Sequence, residues 1–349
     1  QTAVIELKNS LQADPDNAKA RALLGNLYLT QGQGSAALKE LRKAKALGVD
    51  NDELNLGILR AMLLQGQFKE VLAETQTTSV TSAQHEIDTI TGLAHLGERD
   101  LEAARKAFES ALEKAPDTVD ANRGLARIDF GERKFDEGAS RLESLLGKAP
   151  DDFRSLLLLG EVELGRGGFE AAKNVYEKAQ AISKLPVARV GLARALLGLQ
   201  EAKRAREILE ELKTENPDSP AVNYFLAVAS LQTGDRDAAQ QHARDVLRVQ
   251  TNHVQSLLIL GSTAYENQDY AQAQEYLRRF AALAPDHLPA RKLLAAVHLQ
   301  LRQPDEAIKA LASAATPDTK DAQLIALLGS AYMASGKTTE GAEYLSRAA

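Results

Sequence analysis

Hydrolytic, metal and thiol chemistry each require particular side chains at particular spacings, and this sequence offers few of them. Six histidines are present, His85, His95, His242, His253, His287 and His298. None forms a His-x3-His pair or a His-Glu-x2-His run, the spacings that set metal ligands on one helix face. His95 and His298 fall at the place of a recurring pattern that Tyr28 and Tyr332 hold, which reads as packing. His85, His253 and His287 fall near pattern boundaries, and His242 lies inside a helical stretch. The absence of cysteine removes disulfides, thiolate metal sites and thiol nucleophiles together. Gly165-Arg166-Gly167-Gly168 has the glycine density of a phosphate loop, but it follows a helical stretch and lacks the Lys-Ser/Thr ending. It reads as a turn, like Gly32, Gly66, Gly234 and Gly336. The residues therefore point to a chain with no catalytic constellation, no metal and no cofactor.

Bulk properties bound the partners. The chain has 349 residues and a formal charge of −6, which argues against a nucleic-acid partner because such proteins present a basic field. No apolar run reaches the ~18–20 residues of a membrane span. No charged-then-apolar export signal opens the chain. The chain opens in the middle of its repeating pattern, so an upstream segment is expected.

The elements that must position any binding residues are short helices. Ala18 to Ala44 reads as two amphipathic helices joined at Gln31-Gly32-Gln33, with Leu24, Gly25 and Tyr28 on one face and Ala37, Leu41 and Ala44 on another. Residues 1–17 match the second half of one repeat. Ten repeats follow over residues 18–349, starting near residues 18, 52, 85, 119, 153, 186, 220, 254, 288 and 322. The eighth and twentieth places are small, as at Gly25, Gly92, Gly160, Ala37 and Ala104. The seventh and twenty-fourth are bulky, as at Leu24, Phe108 and Tyr176. Small residues let two helices approach while bulky ones fill the gaps. Pro116, Pro150, Pro217 and Pro285 fall where repeats end. No stretch alternates with the period of a strand, so the fold class is all-α.

The runs LLGNLY, LLLGEVELGRGGFEAAKNVYEKA, LILGSTAYENQDYAQAQEYL and ALLGSAYMASGKTTEGAEYL carry a Leu-Gly-x2-Tyr, Ala-x3-Phe-x2-Ala, Pro pattern. In this the sequence resembles the tetratricopeptide repeat family over residues 2–349. The resemblance implies a right-handed superhelix, an α-solenoid of helix-turn-helix repeats without catalytic activity. It lacks the family's Trp, and in the second repeat Leu59, Val71, Thr75 and Thr78 replace preferred residues. More narrowly, ELKNSLQADPDNAKARALLGNLYLTQGQGSAALKELRKAKALGVD with LRAMLLQGQFKEVL is similar to the exosortase (PEP-CTERM)-associated repeat lipoproteins. That resemblance implies the bacterial periplasm, a role in exopolysaccharide production and export, and membrane contact only through an N-terminal lipid anchor, whose Cys this chain lacks. A cytoplasmic location is the alternative.

On the family resemblance, the second, fifth, ninth and twelfth places of each first helix face a concave groove. There stand Asn26, Arg60, Arg123, Arg127, Glu161 and Arg194, a partly basic strip suited to carboxylates. Tyr224 and Tyr265, with Val228, Leu231 and Leu258, make a later stretch more apolar. Either neighbouring acids or helix packing could absorb these residues instead. The Lys-and-Asn clamp of repeats that bind chaperone termini is not reproduced by Ala22 with Asn26 or Leu56 with Arg60. The expected partner is a protein or peptide in the groove. The alternatives are a polysaccharide bound directly and a regulatory arm of an enzyme whose catalytic domain lies elsewhere. Residues 74–84, rich in Ser and Thr, read as a joint or as a frayed helix and longer loop. Val4, Leu7 and Leu11 are expected to be exposed at the leading helix, and the last repeat to lack a polar cap.

Overall fold

A computed structural model describes residues 2–78, 80, 82–316 and 319–348. The described residues form twenty-one α-helices and one short 3-10 helix, and no strand occurs among them. The chain divides into two compact blocks, Gln1–Ser183 and Lys184–Ala349. The even repeat spacing does not announce this division.

The N-terminal block holds α1 (Thr2–Ala13) and five helix pairs. These are α2 (Ala18–Thr30) with α3 (Gly34–Ala46), α4 (Asp52–Leu64) with α5 (Phe68–Thr75), α6 (Gln84–Gly97) with α7 (Leu101–Lys114), α8 (Val119–Gly131) with α9 (Phe135–Lys148), and α10 (Phe153–Gly165) with α11 (Phe169–Ile182). The C-terminal block holds five more. They are α12 (Pro186–Gly198) with α13 (Ala202–Glu215), α14 (Pro220–Gln232) with α15 (Arg236–Val249), α16 (Val254–Glu266) with α17 (Tyr270–Leu283), α18 (Leu288–Gln300) with α19 (Pro304–Leu311), and α20 (Ala322–Ala334) with α21 (Thr338–Ala348).

One turn joins the helices of every pair. At the fifteenth place of each repeat the backbone is left-handed, at Gly32, Gly66, Arg99, Arg133, Gly167, Gln200, Gly234, Gln268, Arg302 and Gly336. The next N–H closes the turn in the same way each time, donating to the carbonyl of the eleventh place at 2.8–3.1 Å. This satisfies a helix-terminal carbonyl that would otherwise be orphaned. Glycine adopts that backbone without strain, whereas Arg or Gln there costs about 1–2 kcal/mol.

Packing within a pair follows the small and bulky places. A Cβ added at Gly25 would lie 2.5 Å from Leu41 Cγ, and one added at Gly160 would lie 2.5 Å from the ring of Tyr176. Phe108 is fully buried and would meet a Cβ on either Gly92 or Gly124. The four prolines each follow a non-helical cap residue, Ala115, Ala149, Asn216 or Ala284. Those caps have left the helical region, with ψ between 67° and 89°, as a following proline requires.

The second repeat departs from the rule. Its second helix, α5, has 8 residues where α7 has 14. A buried leucine, Leu59, stands at its eighth place, and Thr75, where α5 stops, stands at the twenty-fourth. Past α5, Val80 is buried in the same core as Leu56 and Ile87. Ser82 donates from its N–H (2.9 Å) and from Oγ (2.5 Å) to Asp52 Oδ2 at the start of α4. Within the anticipated joint at residues 74–84, Ser79 and Thr81 lie outside the described residues. A second short helix, α19, was not foreseen; it has 8 residues and continues as a 3-10 turn at Ala312–Ala314.

The leading helix corrects one expectation. Val4, Leu7 and Leu11 are partly buried, packed on the core that holds Leu24 and Tyr28. α1 therefore uses the face a second helix normally offers to the next repeat, and Ile5, 59% exposed, is its large apolar residue left in solvent.

Candidate functional site

The N-terminal block carries a cavity of about 1170 Å³ lined chiefly by the first helices α4, α6, α8 and α10. The part that α4, α5 and α6 contribute is largely apolar, with Leu63, Leu64, Phe68, Leu93 and Leu96. The part from α8 and α10 is basic, with Arg123, Arg127 and Arg154. Leu64 stands out of the core at 53% exposure. The cavity is larger than the ~300–1,000 Å³ of ordinary small-molecule pockets.

The structure brings Arg60, Arg123 and Arg127 into this one cavity and leaves Asn26 and Glu161 outside its lining. Arg60 pairs with Glu86. Arg123 pairs with Asp120 and reaches Asp152 at 3.0 Å. Asn26 donates to Glu53 at 2.7 Å, and Glu161 accepts from the Tyr176 hydroxyl at 2.7 Å. Among the described residues Arg127 has neither ion pair nor hydrogen bond. Arg154, which the sequence reading did not single out, has none either.

These partners obey a register. Asn26 and Arg60 occupy ninth places, and Glu53 and Glu86 occupy the second places of the following repeats. The same step from Arg127 leads to Arg154. Where earlier repeats set a donor beside a carboxylate, this step sets two cations. A second register links fifth places to the next helix cap, Arg123 to Asp152 and Lys292 to Asp321, both at 3.0 Å. Asp321 accepts from the Leu324 N–H and faces Lys292, and together these hold its carboxyl below the usual carboxylate range. Such pairs were legible in principle as a cation followed 29 residues later by Asp.

In the C-terminal block the three remaining candidates are engaged in packing. The Arg194 guanidinium lies 5.7 Å from the Phe225 ring centroid. Tyr224 sits against Phe225 and His253, with ring centroids 5.0 and 5.1 Å away. It packs on the core formed by Ala227, Ala243, Ile259 and Leu260. Burial pushes its phenol above the ordinary tyrosine value. Tyr265 is partly buried beside Tyr270 on the next core.

The histidines serve the fold. His253 and His287 cap α16 and α18, their rings accepting from the N–H groups of Ser256 and Ala290. His298 is buried between Gln274 and Gln303. His242 is buried, with Lys213 Nζ 3.1 Å from its Nδ1. Burial first, and then the Lys213 charge, lower its pKa. His85 lines the cavity. Two buried acids at eleventh places were invisible in the pattern. Asp129 receives Arg105 at 2.9 Å, and Glu163 receives Arg166 at 2.6 Å. Among the described residues no group of three or more His, Cys, Asp or Glu is arranged to hold a metal ion. No described helix is long and apolar enough to cross a membrane.

Comparison with known proteins agrees with this architecture. A family model described as tetratricopeptide repeat matches residues 1–54, 95–162 and 163–222. One described as anaphase-promoting complex, cyclosome, subunit 3 matches residues 232–314. Tetratricopeptide repeat protein 37 of Xenopus laevis is 30% identical over 119 residues, and the chain spans about 7% of the length of this curated relative. Among solved structures, a tetratricopeptide repeat protein from Parabacteroides merdae aligns with a TM-score of 0.54 at 12% identity, over 85% of this chain and 99% of that one. The human IFIT1 dimer with m7Gppp-AAAA gives 0.51 at 17% identity, over 99% and 94%. Pseudomonas aeruginosa pilF gives 0.52 at 20% identity, over 60% and 96%. At these identities the likeness is one of fold. With its helix pairs, its shared turn and more than half of its length matched by the family model, the chain belongs to the tetratricopeptide repeat family.

Proposed function

We propose that this chain is a non-catalytic scaffold that holds a protein partner in the groove of its N-terminal block. The observation that carries this reading is the division of labour within each repeat. Eighth and twenty-fourth places make the core, as Gly160 and Tyr176 do. The cavity is lined from other places, among them Arg123, Arg127 and Leu158. Its mixture of apolar and basic lining suits a polypeptide, which can offer both kinds of side chain at once. Direct polysaccharide binding is the weaker reading, because Tyr224 and Tyr265, its sugar platforms, are partly buried in helix packing.

The setting we propose is exopolysaccharide assembly or export in the bacterial periplasm, with membrane attachment through a lipid anchor outside this chain. The support is the resemblance of the first 75 or so residues to exosortase-associated repeat lipoproteins. The test is site-specific photocrosslinking in periplasmic and cytoplasmic extracts of the source organism. One probe replaces Leu64 in the groove, and the other replaces Leu101, exposed and outside it. Envelope proteins crosslinked from position 64 alone are the expected result. Equal crosslinking from both positions, or recovery of only cytoplasmic proteins or only glycan, would overturn the reading.

A further inference from the structure

We infer that Arg127 and Arg154 form a carboxylate-binding fork for Asp or Glu side chains of a partner polypeptide whose neighbouring apolar residues lie along Leu63, Leu64, Leu93 and Leu96. This inference rests on the groove reading above and names the chemistry of its occupant. Three observations carry it. Both arginines are exposed and line the same cavity, and among the described residues neither has an internal partner. The acids that share that lining are already engaged, Glu86 by Arg60, Asp120 by Arg123 and Asp117 by Lys148. Finally, Arg154 occupies the register position at which the first two steps of the groove place a carboxylate, Glu53 for Asn26 and Glu86 for Arg60.

The first two steps of this row each pair a donor with a carboxylate, and the step from Arg127 to Arg154 offers two cations and no anion. Guanidinium groups present paired N–H donors whose geometry matches a carboxylate, and the pair is strengthened where apolar walls exclude water. A carboxylate alone would gain little at so exposed a site. The leucines lining α4 and α6 supply the remainder of the affinity through burial of apolar side chains. The same leucines select a polypeptide over a polyuronate, which has carboxylates without large apolar groups.

Selection of a random linear peptide library against the intact chain tests this directly. The enriched peptides should carry Asp or Glu close to Leu, Ile, Val, Phe or Met. Their affinity should fall about tenfold or more on R127E/R154E, and it should weaken with added salt. Replacing their Asp and Glu by Asn and Gln should reproduce the loss on the wild-type chain and abolish it on the variant. The variant alters only exposed side chains, and circular dichroism checks that its helices are retained. The Leu64→Ser chain should lose affinity for acidic and amidated peptides alike. Enrichment without acidic residues, equal binding to R127E/R154E, no enrichment, or displacement by alginate but not by peptides would each overturn the inference. Envelope proteins still crosslinked at position 64 under those outcomes would leave the scaffold reading standing without this fork.

Discussion

The two blocks are built on one recipe and use their groove places differently. Each has five helix pairs closed by the same left-handed turn, and each buries bulky side chains such as Leu142 and Leu209 at the twenty-fourth place. In the N-terminal block the remaining places line a cavity with leucines and arginines. In the C-terminal block the corresponding stretch folds Tyr224 and Tyr265 onto its own cores and covers the Phe225 ring with Arg194. Stability and recognition are therefore written at different places of the repeat, and one can vary while the other stays constant.

The strongest way to break this comparison is to remove core from one block only. Phe108 is fully buried against the helices of Gly92 and Gly124. Phe108→Ala should cost about 3–5 kcal/mol. Because repeat interfaces act locally, urea unfolding followed by block-specific probes should show an early transition in the N-terminal block alone. A uniform shift of both blocks would contradict local stability.

A smaller effect concerns the second repeat. With only 8 residues in α5, that helix makes fewer backbone bonds than α7. Among the ten paired helices of this block, hydrogen exchange should be fastest in α5 and slowest in α7 and α9. The Val80 plug and the Ser82 contacts with Asp52 should be what limits it, so S82A should speed α5 exchange further.

The shared turn sharpens the comparison at about 1 kcal/mol. Gly66→Ala places a Cβ on a backbone at φ 70° and should destabilise by about that amount. Gln200→Gly and Arg133→Gly relieve strain at φ 63° and 62°. Their gain should be below about 1 kcal/mol, because glycine also raises the entropy of the unfolded chain. Thermal melts of these three chains measure both signs.

The smallest effect is a pH dependence. Burial and Lys213 lower the folded pKa of His242 below its unfolded value of about 6.5. Between those two values the unfolded chain binds more protons than the folded one. Stability is thus complete above about pH 6.5 and declines as pH falls through the window below it. His242→Gln should flatten that part of the curve for the C-terminal block and leave the N-terminal block unchanged.

How much of this was legible depends on how often a feature repeats. The small and bulky places recur in most of the ten repeats, so a close approach such as that of Gly25 and Leu41 was legible before any helix was placed. The glycine turns were equally plain at Gly32 and Gly167. The left-handed Arg99 and Gln268 were not, because neither side chain signals that backbone. The groove was less legible still. Arg60, Arg123 and Arg127 look alike in sequence, but the first two are paired by acids 26–29 residues away and the third is not. That distinction lives in contacts between neighbouring repeats, which a pattern within one repeat does not contain. The burial of Asp129 and Glu163 was hidden for the same reason, since their partners come from turns and adjoining helices.

The short α5 gives the chain a mechanical fuse. Under tension along the backbone, a helix of two turns yields before helices of nearly four, and the yielding segment lengthens from a helical to an extended rise per residue. For the 8 residues of α5 that is a gain of about 15 Å. The bonds from Ser82 to Asp52 bridge the two sides of α5, so its slack is released only once they part. Tension along this block would thus break that clamp first and then draw out α5, while the helices that bear Arg127 and Arg154 keep their shape.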